Sequence, residues 1–181
     1  MPKYQTNPES EMIGISVASV TDSLQYEEYR HIVEPVFKAH GIEKVDPQAW
    51  YPWQMLLDIY KLMKNAEGAM FNFVAIGKQV AQAVPFPVEV TNLVEAMYSM
   101  NEMYKASVRN LDESELYDVK QLSESRIEIR DNSPIPHDII YGYIYTLAHK
   151  FAPENTYPKI ERVFDNPDDP DSGGATYHVT W

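Results

Sequence analysis

The spacing of apolar residues changes near residue 110 of this 181-residue chain. Before that point apolar side chains recur every three or four residues, which is the period of a helix that buries one face. After it they alternate with polar residues, most clearly where Ile127 and Ile129 stand between charged neighbours. A helical part followed by strands predicts the α+β fold class.

Four helices are predicted in the first part of the chain, at residues 22–41, 52–65, 68–84 and 88–110. Pro35 is expected to kink or split the first of them, because proline removes a backbone donor and clashes with the preceding turn. Gly77 is expected to permit the close approach of another element. The last helix is the longest, and its apolar stripe includes Met97, Met100 and Tyr104.

The second part is predicted to be a mainly antiparallel sheet with one helix. Its expected order is strand, strand, helix, strand, strand, at residues 116–122, 124–130, 136–151, 157–164 and 175–181. The acidic stretch 165–174 favours a hairpin turn over a calcium loop. We therefore expect residues 1–22 to form an arm with a possible short strand, and residues 23–181 to form one domain, helical over 23–110 and sheet plus helix over 111–181.

Composition excludes several classes of function. Fifteen Lys and Arg against 27 Asp and Glu give a net charge of −12, which disfavours nucleic acid and anionic membranes as partners. The chain has no cysteine, so disulfides, thiolate metal sites and a cysteine nucleophile are impossible. No apolar run approaches the roughly 20 residues of a membrane span, and no signal peptide is recognisable, so we expect a cytoplasmic protein.

No sequence motif indicates catalysis. The chain lacks a nucleophile elbow and a phosphate-binding glycine loop, and none of its carboxylates interrupts an apolar helix stripe. Its five histidines are scattered without the spacing of a metal pair; among them His137, at a predicted helix start, is expected to be solvated. We expect a protein that is not an enzyme.

The order of predicted elements resembles that of the haem nitric oxide/oxygen-binding (H-NOX) superfamily. Three stretches share in the resemblance: residues 76–79 (IGKQ), residues 100–104 (MNEMY), and residues 127–129 (IEI) leading to Ser133. The resemblance implies an α+β domain with a cavity between the helices and the sheet.

The resemblance also implies positions for a cofactor. Haem-binding members ligate iron through a histidine in the long helix, and that position here holds Tyr104, which would have to bind ferric haem as a phenolate. A register shifted by one helical turn would place Met100 or Ser107 there instead. Of the Tyr-x-Ser-x-Arg motif that holds the haem propionates, only Ser133 is present. The alternative is that Tyr104 is an ordinary core residue whose hydroxyl finds one partner.

Two functions follow as expectations. The first is a non-enzymatic sensor or carrier that binds haem or another hydrophobic small molecule at a site including Tyr104, Ser133, Met97 and Met100, with a signalling protein as partner. The second is a haem-free interaction or dimerisation module with a filled core, whose candidate surface residues are aromatic: Trp50, Tyr51, Trp53 and Trp181.

Overall fold

The computed structural model describes residues 3–23, 25–86 and 89–181. The α-helices in these ranges are α1 (Gly14–Thr21), α2 (Tyr26–Ala39), α3 (Trp53–Met63), α4 (Ala69–Ala83), α5 (Leu93–Tyr98), α6 (Met100–Ser107) and α7 (His137–Phe151). The strands are β1 (Glu11–Ile13), β2 (Trp50–Pro52), β3 (Val108–Arg109), β4 (Asp118–Ser123), β5 (Arg126–Asp131), β6 (Lys159–Phe164) and β7 (Ala175–Thr180).

The second part of the chain forms the expected sheet. Its strands lie in the order β4-β5-β7-β6, and every neighbouring pair is antiparallel. Alternation places Ile127 and Ile129 on its buried face, beside Tyr177 and Val179 of β7. The α+β class, the hairpin of β4 and β5 and the single helix between the strand pairs are all confirmed.

A second, smaller sheet was not predicted. Strand β1 lies between β2 and β3, with Met12 opposite Tyr51 on one side and Val108 on the other. The apolar run 12–20 is therefore a short strand that passes directly into α1. Strands of two or three residues are too short to show an alternating pattern, so the sequence indicated only the possible short strand within residues 1–22 and neither of its two partners.

The predicted long helix is wrong in its continuity and in its end. It consists of α5 and α6, which meet at Ser99, and Val108 already belongs to a strand. The Ser99 hydroxyl donates to the Ala96 carbonyl at 2.9 Å, a contact that commonly bends a helix. Its expected first residue, Val88, lies outside the described residues; α5 begins at Leu93, where the Asn92 side chain accepts from the Glu95 backbone N–H.

Proline and glycine behave differently from each other in the helices. Pro35 does not split α2, because it lies on the exposed side where water can satisfy the carbonyl that loses its donor. The expectation for Gly77 is confirmed: a Cβ there would lie 2.0 Å from the Ile139 carbonyl oxygen of α7. Gly142 of α7 lies equally close to α4, with a Cβ 2.3 Å from the Val74 carbonyl oxygen. Two glycines therefore allow these helices to pack backbone to backbone.

Candidate functional site

A small apolar cavity lies among the helices. It has a volume of about 70 Å³, and helices α1, α3, α4, α6 and α7 contribute to its wall. Three wall residues, Val80, Ile135 and Tyr143, are half-buried, which places the outer margin of the cavity near them. The deeper wall is apolar and almost fully buried, and it includes Leu56, Met100 and Ile140. A space of this kind suits a small apolar molecule.

The cavity was expected between the helices and the four-stranded sheet, but its wall is formed mainly by helices. No strand of the four-stranded sheet contributes a wall residue within the described part of the chain. Helix α7 lies between the two, since Ile139, Ile140 and Tyr143 face the cavity while Tyr177 of β7 donates to the His137 carbonyl at 2.8 Å. Helix α7 therefore lies between the sheet and part of the cavity wall, and Tyr117, which directly precedes β4, also lines the cavity.

Tyr104 lines the cavity, but its hydroxyl already donates a hydrogen bond to a carboxylate. It donates to Glu115 Oε2 at 2.9 Å, and Thr6 donates to Oε1 of the same carboxylate at 2.7 Å. Glu115 is fully buried and is the last residue of a short 3₁₀ turn. The turn begins directly after Asp112, whose side chain caps it. Burial and the adjacent Glu115 charge hold the pKa of Tyr104 well above its ordinary value, and burial also raises the pKa of Glu115.

Two methionines of α6 line the cavity together with Tyr104. Met100 was predicted as a site residue, and Met103 was not. Tyr143 donates its hydroxyl to Met103 Sδ at 2.8 Å, which joins α7 to α6 at the wall. Met100 precedes Tyr104 by four residues and Met103 follows Met100 by three, so the helical spacing from Met100 did carry a signal for Met103. Met97 is fully buried on α5 and is not part of the cavity wall.

Ser133 lies elsewhere, in a buried polar cluster. Its hydroxyl donates to Asp131 Oδ1 at 2.6 Å, and its backbone N–H donates to the same oxygen at 2.9 Å. The Lys3 ammonium lies 2.7 Å from Asp131 Oδ2 and donates to the Ser133 carbonyl at 2.8 Å, with both charged side chains fully buried. The structure therefore groups Tyr104 with Met100 and leaves Ser133 in a separate ion-pair site.

His137 belongs to this polar cluster and is not solvated. It is 5% exposed, with Nδ1 3.2 Å from Asp131 Oδ2 and Nε2 3.0 Å from the Pro170 carbonyl. Burial by itself would raise the pKa of Asp131, but the Lys3 charge and the contacts with His137 outweigh it and hold that pKa well below the usual range. The N-terminal arm is thus fixed at Lys3 by a buried ion pair.

Trp53 was expected at the surface and is instead a wall residue of the cavity, 1% exposed. Its indole N–H is close enough to the Tyr104 hydroxyl to lower the pKa of that group slightly. The N–H nevertheless makes no hydrogen bond of acceptable geometry with any described residue. A buried donor without a partner is rare in proteins.

The residues around the cavity do not fit haem. An engineered apolar cavity of about 150 Å³ binds benzene, and haem is several times larger than benzene, so a space of about 70 Å³ is too small for haem. Tyr104 would have to release the Glu115 hydrogen bond and ionise against a raised pKa to ligate iron. Ser133 is bound to Asp131, and its nearest cation, Lys3, is already neutralised by the same carboxylate.

A metal site and a membrane-spanning helix are both absent from the described ranges 3–23, 25–86 and 89–181. No group of three or more histidine and carboxylate side chains there is arranged to hold a metal ion. None of the described helices has the length and apolar character required to cross a bilayer.

Comparison with known proteins gives matches in structure alone. No protein-family model matches the sequence, and no curated protein matches it. Solved H-NOX structures superpose over nearly the whole chain. One, from work on haem distortion in the H-NOX family, has a TM-score of 0.65 at 16% identity and covers 94% of this chain and 95% of its own.

Two further structures agree with the first. The Fe(II) unliganded H-NOX protein from K. algicida gives a TM-score of 0.65 at 12% identity, covering 93% of this chain and 96% of its own. A structure from work on haem redox potential and porphyrin distortion gives 0.62 at 16% identity, covering 94% and 100%. Identities this low establish the architecture only. The protein has an H-NOX-like fold.

Proposed function

We propose that this protein is a non-enzymatic ligand-binding module, a sensor or carrier that holds a small hydrophobic molecule, smaller than haem, in the cavity beside Tyr104. The observation that carries the proposal is the cavity itself, which is apolar, about 70 Å³ in volume, and walled by Met100 and Met103. Methionine side chains adapt to ligands of varied shape, which suits a binding wall. The H-NOX-like fold supports a sensor role by analogy alone.

The cavity is placed so that a ligand would contact two helices at once. Helices α6 and α7 both contribute to its wall, and the Tyr143 to Met103 hydrogen bond joins them. Helix α7 in turn contacts the sheet through the Tyr177 hydroxyl. A ligand that favours one arrangement of α6 on α7 would shift the population of that arrangement, and a signalling partner would read the change.

Isobutene, a small apolar probe, tests the proposal. We expect a titration followed by methyl NMR to shift the Met100 and Met103 methyl signals in a saturable manner. The variant Val80→Phe introduces a ring at the cavity margin and is expected to abolish the saturation. The matched control Val163→Phe makes the same change on the exposed face of β6, at a side chain that is 55% exposed, and is expected to leave binding intact.

The two variants distinguish binding in the cavity from binding elsewhere on the protein. Saturable shifts that are lost in Val80→Phe and kept in Val163→Phe support the cavity as the binding site. Shifts that persist in Val80→Phe, or the absence of saturation in the unmodified protein, contradict the proposal.

An interaction module is the second candidate, and exposed apolar side chains favour it. Phe71 is 64% exposed and Met70 50% exposed at the start of α4, while Leu62 near the end of α3 is 54% exposed. Large apolar groups at such exposure are typical of a contact surface. Light scattering coupled to size-exclusion chromatography tests this: a dimer that becomes a monomer in Phe71→Ser supports it, and a monomer at all concentrations contradicts self-association.

A further inference from the structure

The four-stranded sheet has two edge strands, β4 and β6, which differ in how their outer edges are protected. Strand β4 has a register shift between Gln121 and Ser123, and the Gln121 backbone N–H donates to the Tyr98 hydroxyl at 3.1 Å. A bulge and a covering group are two means by which proteins prevent an edge strand from pairing with another chain. Strand β6 pairs with β7 over all six of its residues without a register shift.

The outer edge of β6 carries backbone groups that can pair with a further strand. The Asp165 backbone N–H donates to the Gly174 carbonyl at 3.1 Å, on the side of β7. Because backbone groups alternate in direction along an antiparallel pair, Ile160 and Arg162 direct theirs away from β7. Within the described residues, no backbone hydrogen bond from outside the sheet reaches these two residues. An additional strand can therefore bind along this edge.

The side chains on the solvent face of β6 form a pattern that is complementary to itself. Lys159, Glu161 and Val163 alternate onto this face, and Tyr157 continues it, because a residue before proline favours extended backbone. Tyr157 is 88% exposed and Val163 is 55% exposed, with the two opposite charges between them. When two copies run in opposite directions, the order apolar, positive, negative, apolar places apolar opposite apolar and positive opposite negative.

We propose that two copies of this chain associate through β6, antiparallel and about a two-fold axis at Ile160, so that their four-stranded sheets become continuous. In this register Tyr157 lies opposite Val163 of the second copy, and Lys159 lies opposite Glu161 of the second copy. The backbone groups of Ile160 pair with those of the same residue in the second copy. Two-fold symmetry makes each contact twice, which is the usual form of a homodimer interface. The proposal does not depend on the cavity.

Charge disfavours the neighbouring registers. Side chains that lie opposite each other must share a face of the continuous sheet, so the two-fold axis passes through a residue. An axis at Lys159 or at Glu161 would place that residue opposite its own copy, and like charges directly opposite each other are destabilising. An axis at Arg162 would do the same and would place Glu161 opposite Val163. Of these four positions, Ile160 alone places opposite charges and apolar groups together.

Charge reversal tests the interface by sedimentation equilibrium. A single strand edge is a small interface, so we expect a weak dimer that forms below about 1 mM protein. Lys159→Glu and Glu161→Lys each replace attraction by repulsion in two symmetry-related pairs, and each is expected to weaken the dimer roughly 30-fold. The double variant again has opposite charges at both pairs and is expected to recover the original affinity. Both side chains are exposed, so these changes leave the core unaltered.

Two control variants separate this interface from other causes of association. Lys120→Glu makes the same change of net charge on β4, where the lysine side chain is 57% exposed, and is expected to leave the dimer affinity unchanged. Phe71→Ser alters the exposed apolar surface of α3 and α4, away from β6, and is also expected to leave it unchanged.

A single introduced cysteine tests the register, because the chain has no cysteine of its own. In the proposed dimer the two Ile160 Cα atoms lie about 5.5 Å apart, within reach of a disulfide. The two Val163 positions are displaced by six residues along the strands, about 20 Å. We therefore expect Ile160→Cys to form a disulfide-linked dimer under mild oxidation, and the more exposed Val163→Cys to remain monomeric on a reducing-agent-free gel.

Several results would overturn the proposal. A monomer at every concentration would leave the edge of β6 to an extended segment of a different protein. A dimer that persists in Lys159→Glu, that weakens equally in Lys120→Glu, or that is not restored by the double variant would place the interface elsewhere, and loss of the dimer in Phe71→Ser would place it at α3 and α4. Faster crosslinking of Val163→Cys than of Ile160→Cys would contradict the register. If Ile160→Cys does not fold, the charge-reversal variants still decide the question.

Discussion

At the scale of single residues, the ion pair of Lys3 and Asp131 joins the chain start to the sheet. Both side chains are fully buried, and 128 positions separate them in sequence. Removing one member of a buried pair leaves the other charge without compensation, which costs far more than losing an exposed pair. The pair between Arg130 and Asp165, one residue away on β5, is partly exposed and provides a contrast.

We expect Asp131→Asn to lower the free energy of unfolding by about 3 kcal/mol, because Lys3 and His137 lose their carboxylate. The control Asp165→Asn is expected to cost about 1 kcal/mol or less, because water screens that pair. Urea unfolding at pH 7 measures both. Equal costs for the two variants would contradict the assignment of the buried pair.

The lowered pKa of the Asp131 carboxyl group predicts how the stability of the protein depends on pH. The pKa of Asp131 is lower in the folded protein than its ordinary value of about 3.9 in an unfolded chain. Its contribution is therefore complete above that value and is lost as the pH falls below about 4 toward the folded pKa. Unfolding curves at pH 7 and below pH 4 should show a smaller acid loss in Asp131→Asn than in the unmodified protein; parallel losses would contradict this.

At the scale of elements, the contact of α4 with α7 sets the shape of the cavity. Val80 of α4 and Val84, which directly follows α4, line the cavity together with Ile139 and Tyr143 of α7. Gly77 lies one turn before Val80, where a Cβ would meet backbone atoms of α7. The close approach of the two helices therefore depends on this glycine.

We expect Gly77→Ala to destabilise the protein by at least about 1–3 kcal/mol, the usual cost of overpacking, because the new methyl meets backbone atoms of α7 that cannot rotate away. Gln79→Ala, half-buried on the same helix, is the control and should change stability by less than about 0.5 kcal/mol. Thermal unfolding compares them. A Gly77→Ala protein as stable as the control would show that the helices do not pack this closely.

The elements also show what the sequence can and cannot predict. Alternation in β5 and the helical stripe of α7 were strong enough to give their type and place. The break between α5 and α6 at Ser99 was missed because the apolar stripe continues through it, and the contact of the Ser99 hydroxyl with the Ala96 carbonyl leaves no signal in that stripe. The buried state of Lys3 was missed because its partner is distant in sequence. Cavity volume depends on packing that no sequence period encodes.

At the scale of the whole molecule, the fold agrees with the resemblance to H-NOX proteins, whereas the expected haem site does not. The chain superposes on H-NOX structures over 93–94% of its length, while the positions expected to hold haem are occupied by internal hydrogen bonds. Tyr104 is paired with Glu115, and Ser133 with Asp131. The sequence resemblance therefore predicted the architecture and did not reveal these pairings, which required the relative placement of distant segments.

We expect ferric haem added to the purified protein to keep the absorption of free haem, with no stoichiometric Soret shift, because the cavity is too small and Tyr104 is not available as a phenolate. A titration from 250 to 700 nm makes the measurement. A stoichiometric, shifted Soret band that disappears in Tyr104→Phe would instead establish haem ligation by that residue and overturn this part of the account.

The most direct test of the central claim is a crystal structure of the protein under xenon pressure. Xenon enters apolar cavities without requiring any polar partner, so it reports the space alone. The account predicts one ordered xenon atom among Leu56, Met100 and Tyr104. Side chains closed over this position, with no xenon between them, would contradict the claim that the protein holds a small hydrophobic molecule there.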